Sequence, residues 1–142
     1  MERIIPTKPV DAIWTEPQWR AIYETGEDIL VGAAAGSGKT AVLIERIIQK
    51  IINPTHPIEI DKILVVTFTD AAAREMRNRL SVAIEKELIQ NPNSAHLRRQ
   101  IGLLSSGNIS SIQGFCLKVI GEYDYKIHMD PAFRIGESTQ ME

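Results

Sequence analysis

The residues that most restrict this chain are AAAGSGKT, Ala33 to Thr40. They stand between an apolar run, Asp28 to Val31, and a segment with helical periodicity from Thr40 to Ile52. A buried strand, a glycine-rich turn and a helix start, in that order, predict a phosphate cradle. The N–H groups of the turn and of the first helical residues lack intrahelical acceptors, so they point at an anion, and the helix dipole favours negative charge there. In such a cradle Ala33, Ala34, Ala35, Gly36, Ser37 and Gly38 wrap the phosphates, Lys39 reaches the terminal ones, and the Thr40 hydroxyl holds magnesium. The plain alternative is an ordinary strand-to-helix connection at Gly36 and Gly38. Lys39 and Thr40 in phase, with correct flanks, weigh against it.

A chain of 142 residues, 44% hydrophobic and 24% charged, suits one domain with a real core. Its longest apolar stretches, Ile63 to Phe68 and Ile29 to Ala35, fall far short of the roughly twenty residues that span a bilayer. The first residues, MERIIP, hold no apolar signal region or cleavage site, so no membrane or export is expected. The single cysteine, Cys116, rules out an internal disulfide, fits a reducing cytoplasm and reads as a core thiol. A formal charge of -2 gives no global case for nucleic acid, whose binders are usually strongly basic. Local basic sets exist, Arg74, Arg77 and Arg79, then Arg98 and Arg99, but charged helix faces are commonly just solvated. His56, His96 and His128 have no ligand spacing, so they read as surface or packing residues and no protein-only metal site is expected.

Residues 1 to 13, with Pro6 and Pro9, read as an irregular arm. Thr15, Pro17 and Gln18 then predict a helix start, with Thr15 as cap, Pro17 in the first turn and Gln18 at the capping-box position, and the helix running to about Glu24. That fully accounts for Gln18 as a cap, yet its amide also matches the N6 donor and N7 acceptor of adenine. After the glycine-rich turn, Leu43, Ile47 and Ile51, flanked by Ile44, Ile48 and Ile52, give the next helix an apolar stripe. Lys62 to Phe68 reads as a central parallel strand. Ala72 or Ala73, then Met76, Leu80, Ala83 or Ile84 and Leu88 mark a long amphipathic helix capped by Thr69 or Asp70. Leu97, Ile101 and Leu104 mark a shorter one, and Ile109 to Ile112 a third strand. SIQGFC, Ser111 to Cys116, opens another helix with Phe115, Val119 and Ile120 inward. Gly121 to Arg134 reads as a loop, and Phe133 to Ile135 as the start of a fourth strand.

Four stretches resemble motifs of the UvrD-like superfamily one DNA helicases, in the family order. The turn has Ala33 where the general phosphate loop has Gly, and its form, A-x-x-G-x-G-K-T, resembles that of these helicases. Gln18, twenty-one residues before Lys39, resembles their Q motif, which implies adenine binding. TFTDAAAREM resembles motif Ia, commonly TFTNKAAxEM, although a strand, a cap and a helix would account for it equally. The resemblance implies Phe68 as a base-stacking side chain and Thr69 as a phosphate contact on single-stranded DNA. Asp70 and Ala71 replace the usual Asn and Lys. SIQGFC resembles motif Ib, commonly TIHSFC, which implies DNA contacts at Ser111 and Gln113; small hydroxyl and amide groups bind phosphate without charge.

Between the motifs, WTEPQW, LVVTFTDAAA, EKELIQNPNSAHLRRQ and FCLKVI are most similar to the A subunits of bacterial helicase-nucleases. The resemblance implies a RecA-like P-loop NTPase fold, α/β with a three-layer parallel sheet, and ATP and magnesium as cofactors. It also implies 3′ to 5′ movement on single-stranded DNA or from duplex ends, a distant nuclease domain and a B-type partner subunit. No apolar run is followed by an Asp-Glu pair. Residues 1 to 142 are therefore expected to be the amino-terminal piece of a larger enzyme, cut within its first motor domain and able to bind nucleotide without efficient hydrolysis. Two other classes stand against this reading. A small P-loop kinase would need an arginine-rich lid and an acceptor site; a non-catalytic nucleotide-binding module would need only the loop.

Overall fold

The computed structural model describes residues 5–26, 28–106, 108–128, 130, 132, 133 and 136. The chain begins regular structure at α1 (Glu16–Tyr23), whose start is built as its sequence demands. The Thr15 hydroxyl accepts the Gln18 N–H at 3.4 Å, the Gln18 Oε1 accepts the Thr15 N–H at 2.9 Å, and Pro17 sits in the first turn. Trp19 and Ile22 are buried, and the Trp19 indole N–H donates to the Pro6 carbonyl at 2.7 Å, fastening the irregular arm to α1. At the other end of α1, Arg46 donates to the carbonyls of Ala21 and Ile22 at 2.8 and 3.1 Å. Those carbonyls lack helical partners, so Arg46 both caps α1 and docks it on α2 (Lys39–Ile51).

After α2 a short 3-10 turn (Ile60–Lys62) leads into β1 (Leu64–Thr67). The long α3 (Asp70–Gln90) and α4 (Ala95–Leu103) then cross back to β2 (Asn108–Ser111), and α5 (Ile112–Ile127) follows without a break. The two strands pair in parallel, Leu64 opposite Asn108 and Thr67 opposite Ser111. Val65 and Ile109 point from one face of this sheet into the core. There they meet Ile47, Ile48 and Ile51 of α2, Ala73, Met76, Leu80 and Ile84 of α3, and Leu97 and Leu104 around α4. The four-residue rows anticipated for α2 and α3 are largely the buried stripes, except that Leu43 is 38% exposed and Val42, which was not anticipated, is buried in α2.

One polar side chain lies inside that core. Gln100 of α4 is fully buried, and its Oε1 accepts the backbone N–H of Ile60 at 2.7 Å. Its Nε2 lies 3.4 Å from His96 Nδ1, while His96 Nε2 lies 3.0 Å from the Ile51 carbonyl. A carbonyl only accepts, so a neutral His96 carries its proton on Nε2 and takes the Gln100 N–H at Nδ1. His96 therefore ties the end of α2 to α4, the packing role expected of it.

The direction of α2 fixes where the glycine-rich turn lies. The Ile58 N–H donates to the Lys50 carbonyl at 3.0 Å, so the carboxyl end of α2 meets the segment that feeds β1. The chain then reverses, and Leu43, Arg46, Ile47 and Lys50 of α2 share a cleft with Ile63 and with Leu64 to Val66 of β1. The amino end of α2 consequently lies toward the carboxyl end of β1. Phe68 follows the carboxyl end of β1 and Ser111 closes β2 opposite Thr67, so both leave the sheet at the edge toward which the amino end of α2 runs.

Several expectations need correction. The strand expected over Lys62 to Phe68 covers only Leu64–Thr67 and has a strand on one side alone among the described residues, with Leu64 and Val66 half-exposed. The apolar run Asp28 to Val31 joins no strand, and the sheet has two strands among the described residues rather than at least three in a three-layer stack. Ile29, Leu30 and Val31 are 37%, 97% and 49% exposed. An apolar run signals a need for cover, but a strand exists only where a neighbour completes its ladder, and none of the described residues does so here. Residues expected as a loop from Gly121 onward continue α5 to Ile127. Its helical geometry is interrupted at Tyr123 (φ -124°, ψ 16°) and closed by His128 in the left-handed region. Cys116 is exposed on α5 rather than buried, and Val119 is likewise 37% exposed. The strand expected at Phe133 to Ile135 lies largely outside the described residues. No described helix is long and apolar enough to cross a membrane.

Candidate functional site

Among the described residues, four of the five α-helices begin on a hydroxyl that accepts a backbone N–H: Thr15 for α1, Thr69 for α3, Ser94 for α4 and Ser111 for α5. The fifth, α2, begins on Gly38, which has no side chain to offer and adopts φ 83°. The first backbone bond of α2 is Val42 N–H to Gly38 carbonyl at 3.0 Å, which leaves the N–H groups of Lys39, Thr40 and Ala41 without helical acceptors. The sequence thus supplies a cap everywhere except where an anion is expected to provide one. Gly36 is also left-handed, at φ 76°, and these two glycines with the Ser37 N–H to Ala34 carbonyl turn, 3.3 Å, curl the loop.

Every residue from Ala33 to Thr40 is exposed. The Lys39 ammonium folds back on the loop, donating to the carbonyls of Ala33 at 2.7 Å and Ala34 at 2.9 Å. A cation is therefore held inside the curl, where the terminal phosphates of a nucleotide would take it over from two neutral carbonyls. Thr40, in the first turn of α2, keeps its hydroxyl at the surface. Gln18 is brought to this loop across the sequence: its Nε2 donates to the Ser37 carbonyl at 3.2 Å. Beside both lies a cavity of about 310 Å³, walled by Pro17, Ala21, Val31 and Val42 and edged by Gln18 and Lys39. Apolar walls with a few converging polar groups are the usual make-up of a small-molecule site, and the volume is at the lower end of that class.

The second group of anticipated residues leaves the strand ends on the same edge. Phe68 follows β1 and is 92% exposed, an aromatic ring held in water by the strand behind it. Thr69 caps α3 by accepting the Ala72 N–H at 3.1 Å, and its carbonyl accepts the Thr67 hydroxyl at 2.8 Å. Gln113 is exposed in the first turn of α5. Ser111 is 3% exposed; its hydroxyl accepts the Gly114 N–H at 3.1 Å and donates to the Asp70 carboxylate. Its single proton is thus already engaged.

Sequence reasoning did not anticipate the Asp70 to Ser111 bond, nor the work of two arginines. Arg77 donates to the Ile109 carbonyl at 2.6 Å and so is engaged within the fold, while Arg79 makes an exposed pair with Glu75 at 2.7 Å on the helix surface. The signal available was only that Arg77 falls beside the buried positions Ala73, Met76 and Leu80 on the helical repeat.

Comparison with known proteins identifies the family of the chain. Residues 14–142 match the UvrD/REP helicase N-terminal domain. The chain belongs to the UvrD/REP helicase family. Within this family it is 52% identical over 141 residues, 99% of its length, to the A subunit of the ATP-dependent helicase/nuclease of Lysinibacillus sphaericus. It is 56% identical over 137 residues, 96% of its length, to the protein of that name from Bacillus anthracis, and 56% over 136 residues to that of Bacillus licheniformis. The chain spans about 11% of the length of each. The matched family region takes in the glycine-rich loop, Gln18, both strands and all five α-helices.

Proposed function

We propose that this chain is the ATP-binding amino-terminal part of a superfamily one DNA helicase motor, with a RecA-like P-loop fold, within a larger protein that joins helicase and nuclease as the name of its relatives suggests. The observation that carries the reading is the uncapped start of α2, with Lys39 held in the loop and Gln18 bonded to it. The residues present fit ATP with magnesium. The backbone from Ala33 to Gly38 and the free N–H groups of α2 would hold the phosphates, Lys39 their charge, Gln18 the adenine and Thr40 the metal. When bound, ATP would supply the phosphoryl group whose transfer to water powers a motor, and magnesium would neutralise the phosphate charge.

Single-stranded DNA would lie along the edge where Phe68, Thr69, Ser111 and Gln113 leave the strands, with Phe68 stacking on a base. In the whole protein we expect 3′ to 5′ movement from duplex ends, a nuclease activity, a role in double-strand-break repair, a cytoplasmic place of work and a B-type partner subunit. The 142-residue chain itself is expected to bind nucleotide with negligible turnover, because it has no Asp-Glu pair after an apolar run to orient magnesium and water.

Titration of the purified chain with a fluorescent ATP analogue, alongside Lys39→Ala, tests the reading. Saturable magnesium-dependent binding that Lys39→Ala weakens at least tenfold is expected, since a charge-assisted contact of about 1.5–3 kcal/mol is lost. Binding indifferent to Lys39 would overturn the site. Hydrolysis at a helicase-like rate, abolished by Lys39→Ala, would instead reveal a catalytic acid elsewhere in the chain.

A further inference from the structure

Gln18 carries more bonds than either of its expected roles requires. As the third residue of α1 it closes the capping box, its Oε1 accepting the Thr15 N–H at 2.9 Å. Its Nε2 reaches nineteen residues along the chain to the Ser37 carbonyl at 3.2 Å. A primary amide has two acceptor lone pairs and two N–H donors, so both bonds leave one of each free. That remainder is what the N7 and N6 edge of adenine takes up. Reading the base therefore does not require Gln18 to let go of the loop.

The bond to Ser37 has a directional consequence. Ser37 lies between Gly36 and Gly38, both at positive φ, where the backbone has the greatest freedom to turn. The peptide joining Ser37 to Gly38 is planar and trans, so its carbonyl and its N–H point to opposite sides. With the carbonyl held toward Gln18, the Gly38 N–H is turned away from α1. The approach is close: a Cβ on Gly38 would stand 3.3 Å from Gln18 Nε2. Gly38 thus answers two demands at once, a left-handed backbone and room for the amide.

We infer that Gln18 is a positioning residue for the phosphate loop, setting the Ser37–Gly38 peptide plane and with it the affinity for a polyphosphate whatever base is attached. The inference rests on the nucleotide reading above and deepens it. A glutamine that only recognises adenine would change the choice between ATP and GTP and leave inorganic tripolyphosphate untouched. One that only caps would act through the order of α1.

The test uses the purified chain, with magnesium tripolyphosphate, ATP and GTP as probes in calorimetry. Gln18→Met keeps the length of the side chain, adds no charge and can donate nothing to Ser37. It should weaken tripolyphosphate and GTP by the same factor, roughly three- to tenfold for one lost hydrogen bond, and ATP by more. Unchanged tripolyphosphate affinity would overturn the inference. In the ligand-free protein, Gln18→Glu keeps the capping box, since a carboxylate still accepts the Thr15 N–H, but offers Ser37 only acceptors. Its Gly38 amide resonance should move while those of Arg20 to Tyr23 in α1 stay. A Gly38 resonance that stays put in Gln18→Glu would leave Gln18 as a cap alone. If the wild-type chain binds no tripolyphosphate, the nucleotide reading itself fails and the affinity claim with it, and the Gly38 resonance then decides the peptide-plane claim by itself.

Discussion

The Ser111 hydroxyl donates to the carboxylate of Asp70, joining the amino ends of α5 and α3 across the sheet edge. Asp70 stands in the first turn of α3, where negative charge suits the helix dipole, and Ser111 caps α5 through the Gly114 N–H. The bond therefore helps hold the fold at the point where DNA is proposed to pass. It also places a carboxylate on that path, where the motif this stretch resembles commonly has Asn. Asp70→Asn leaves an oxygen to accept the Ser111 proton, removes the charge and adds two donors. Affinity for single-stranded oligothymidylate should rise roughly two- to fivefold at low salt, with the gain shrinking as salt rises, as expected of an exposed charge. Fluorescence anisotropy across a salt series reads this, and unchanged or weaker binding would remove Asp70 from the DNA path.

Phe68 offers a cleaner separation of binding from folding. At 92% exposure its ring contributes nothing to the core, whereas stacking on a base is worth about 1–3 kcal/mol. Phe68→Ala should therefore lower oligonucleotide affinity by roughly five- to a hundredfold while the denaturation midpoint stays within experimental error. A variant that melts early, or one that binds DNA as before, would contradict the stacking role.

The core contains the opposite case. Gln100 is the buried partner of the Ile60 N–H, so Gln100→Leu would fill the space but strand that donor away from water. His96 would also lose the group it accepts from. An unsatisfied buried backbone group costs about 1–3 kcal/mol, and a shift of the urea midpoint by that amount without a change in slope is expected. Stability equal to wild type would mean that water or a rotated neighbour reaches Ile60.

How far each element could be read in advance depended on how local its causes are. The capping box at Thr15 and Gln18, the cap at Thr69, the stripes of α2 and α3 and the glycine-rich loop are each set by residues within a few positions of one another. They appear in the structure as written, save that Val42 rather than Leu43 opens the buried stripe of α2. The run Asp28 to Val31 has the composition of a strand, but its state depends on a neighbour that no local pattern supplies. The continuation of α5 past Gly121 was hidden for the converse reason: glycine and two tyrosines are weak helix formers, and only the absence of a proline before Pro131 spoke for a helix. In the candidate site, Gln18, Lys39 and Phe68 were singled out through motif order. The bonds from Gln18 to Ser37 and from Asp70 to Ser111 join residues nineteen and forty-one positions apart, and no spacing rule announces them.

The open side of the sheet leads to the last expectation. Leu64 and Val66 are 48% and 43% exposed on the face opposite Val65, and Leu30 beside the loop is 97% exposed. Ile112 at the start of α5 is 48% exposed as well. Among the described residues β1 has a strand neighbour only on the β2 side, so its other edge presents unpaired backbone groups next to apolar side chains. Such an edge and such a face both favour association, the first through added ladder bonds and the second through about 25 cal/mol for each Å² removed from water. The purified chain should therefore gain apparent mass with concentration in light scattering. Val66→Lys, which charges the open face without touching the core, should hold it monomeric with ATP binding retained. A wild-type chain that stays monomeric at high concentration would show that the five helices and two strands already cover enough of the sheet. A Val66→Lys variant that associates as before would move the contact elsewhere, with the Leu30 segment the next apolar surface to charge.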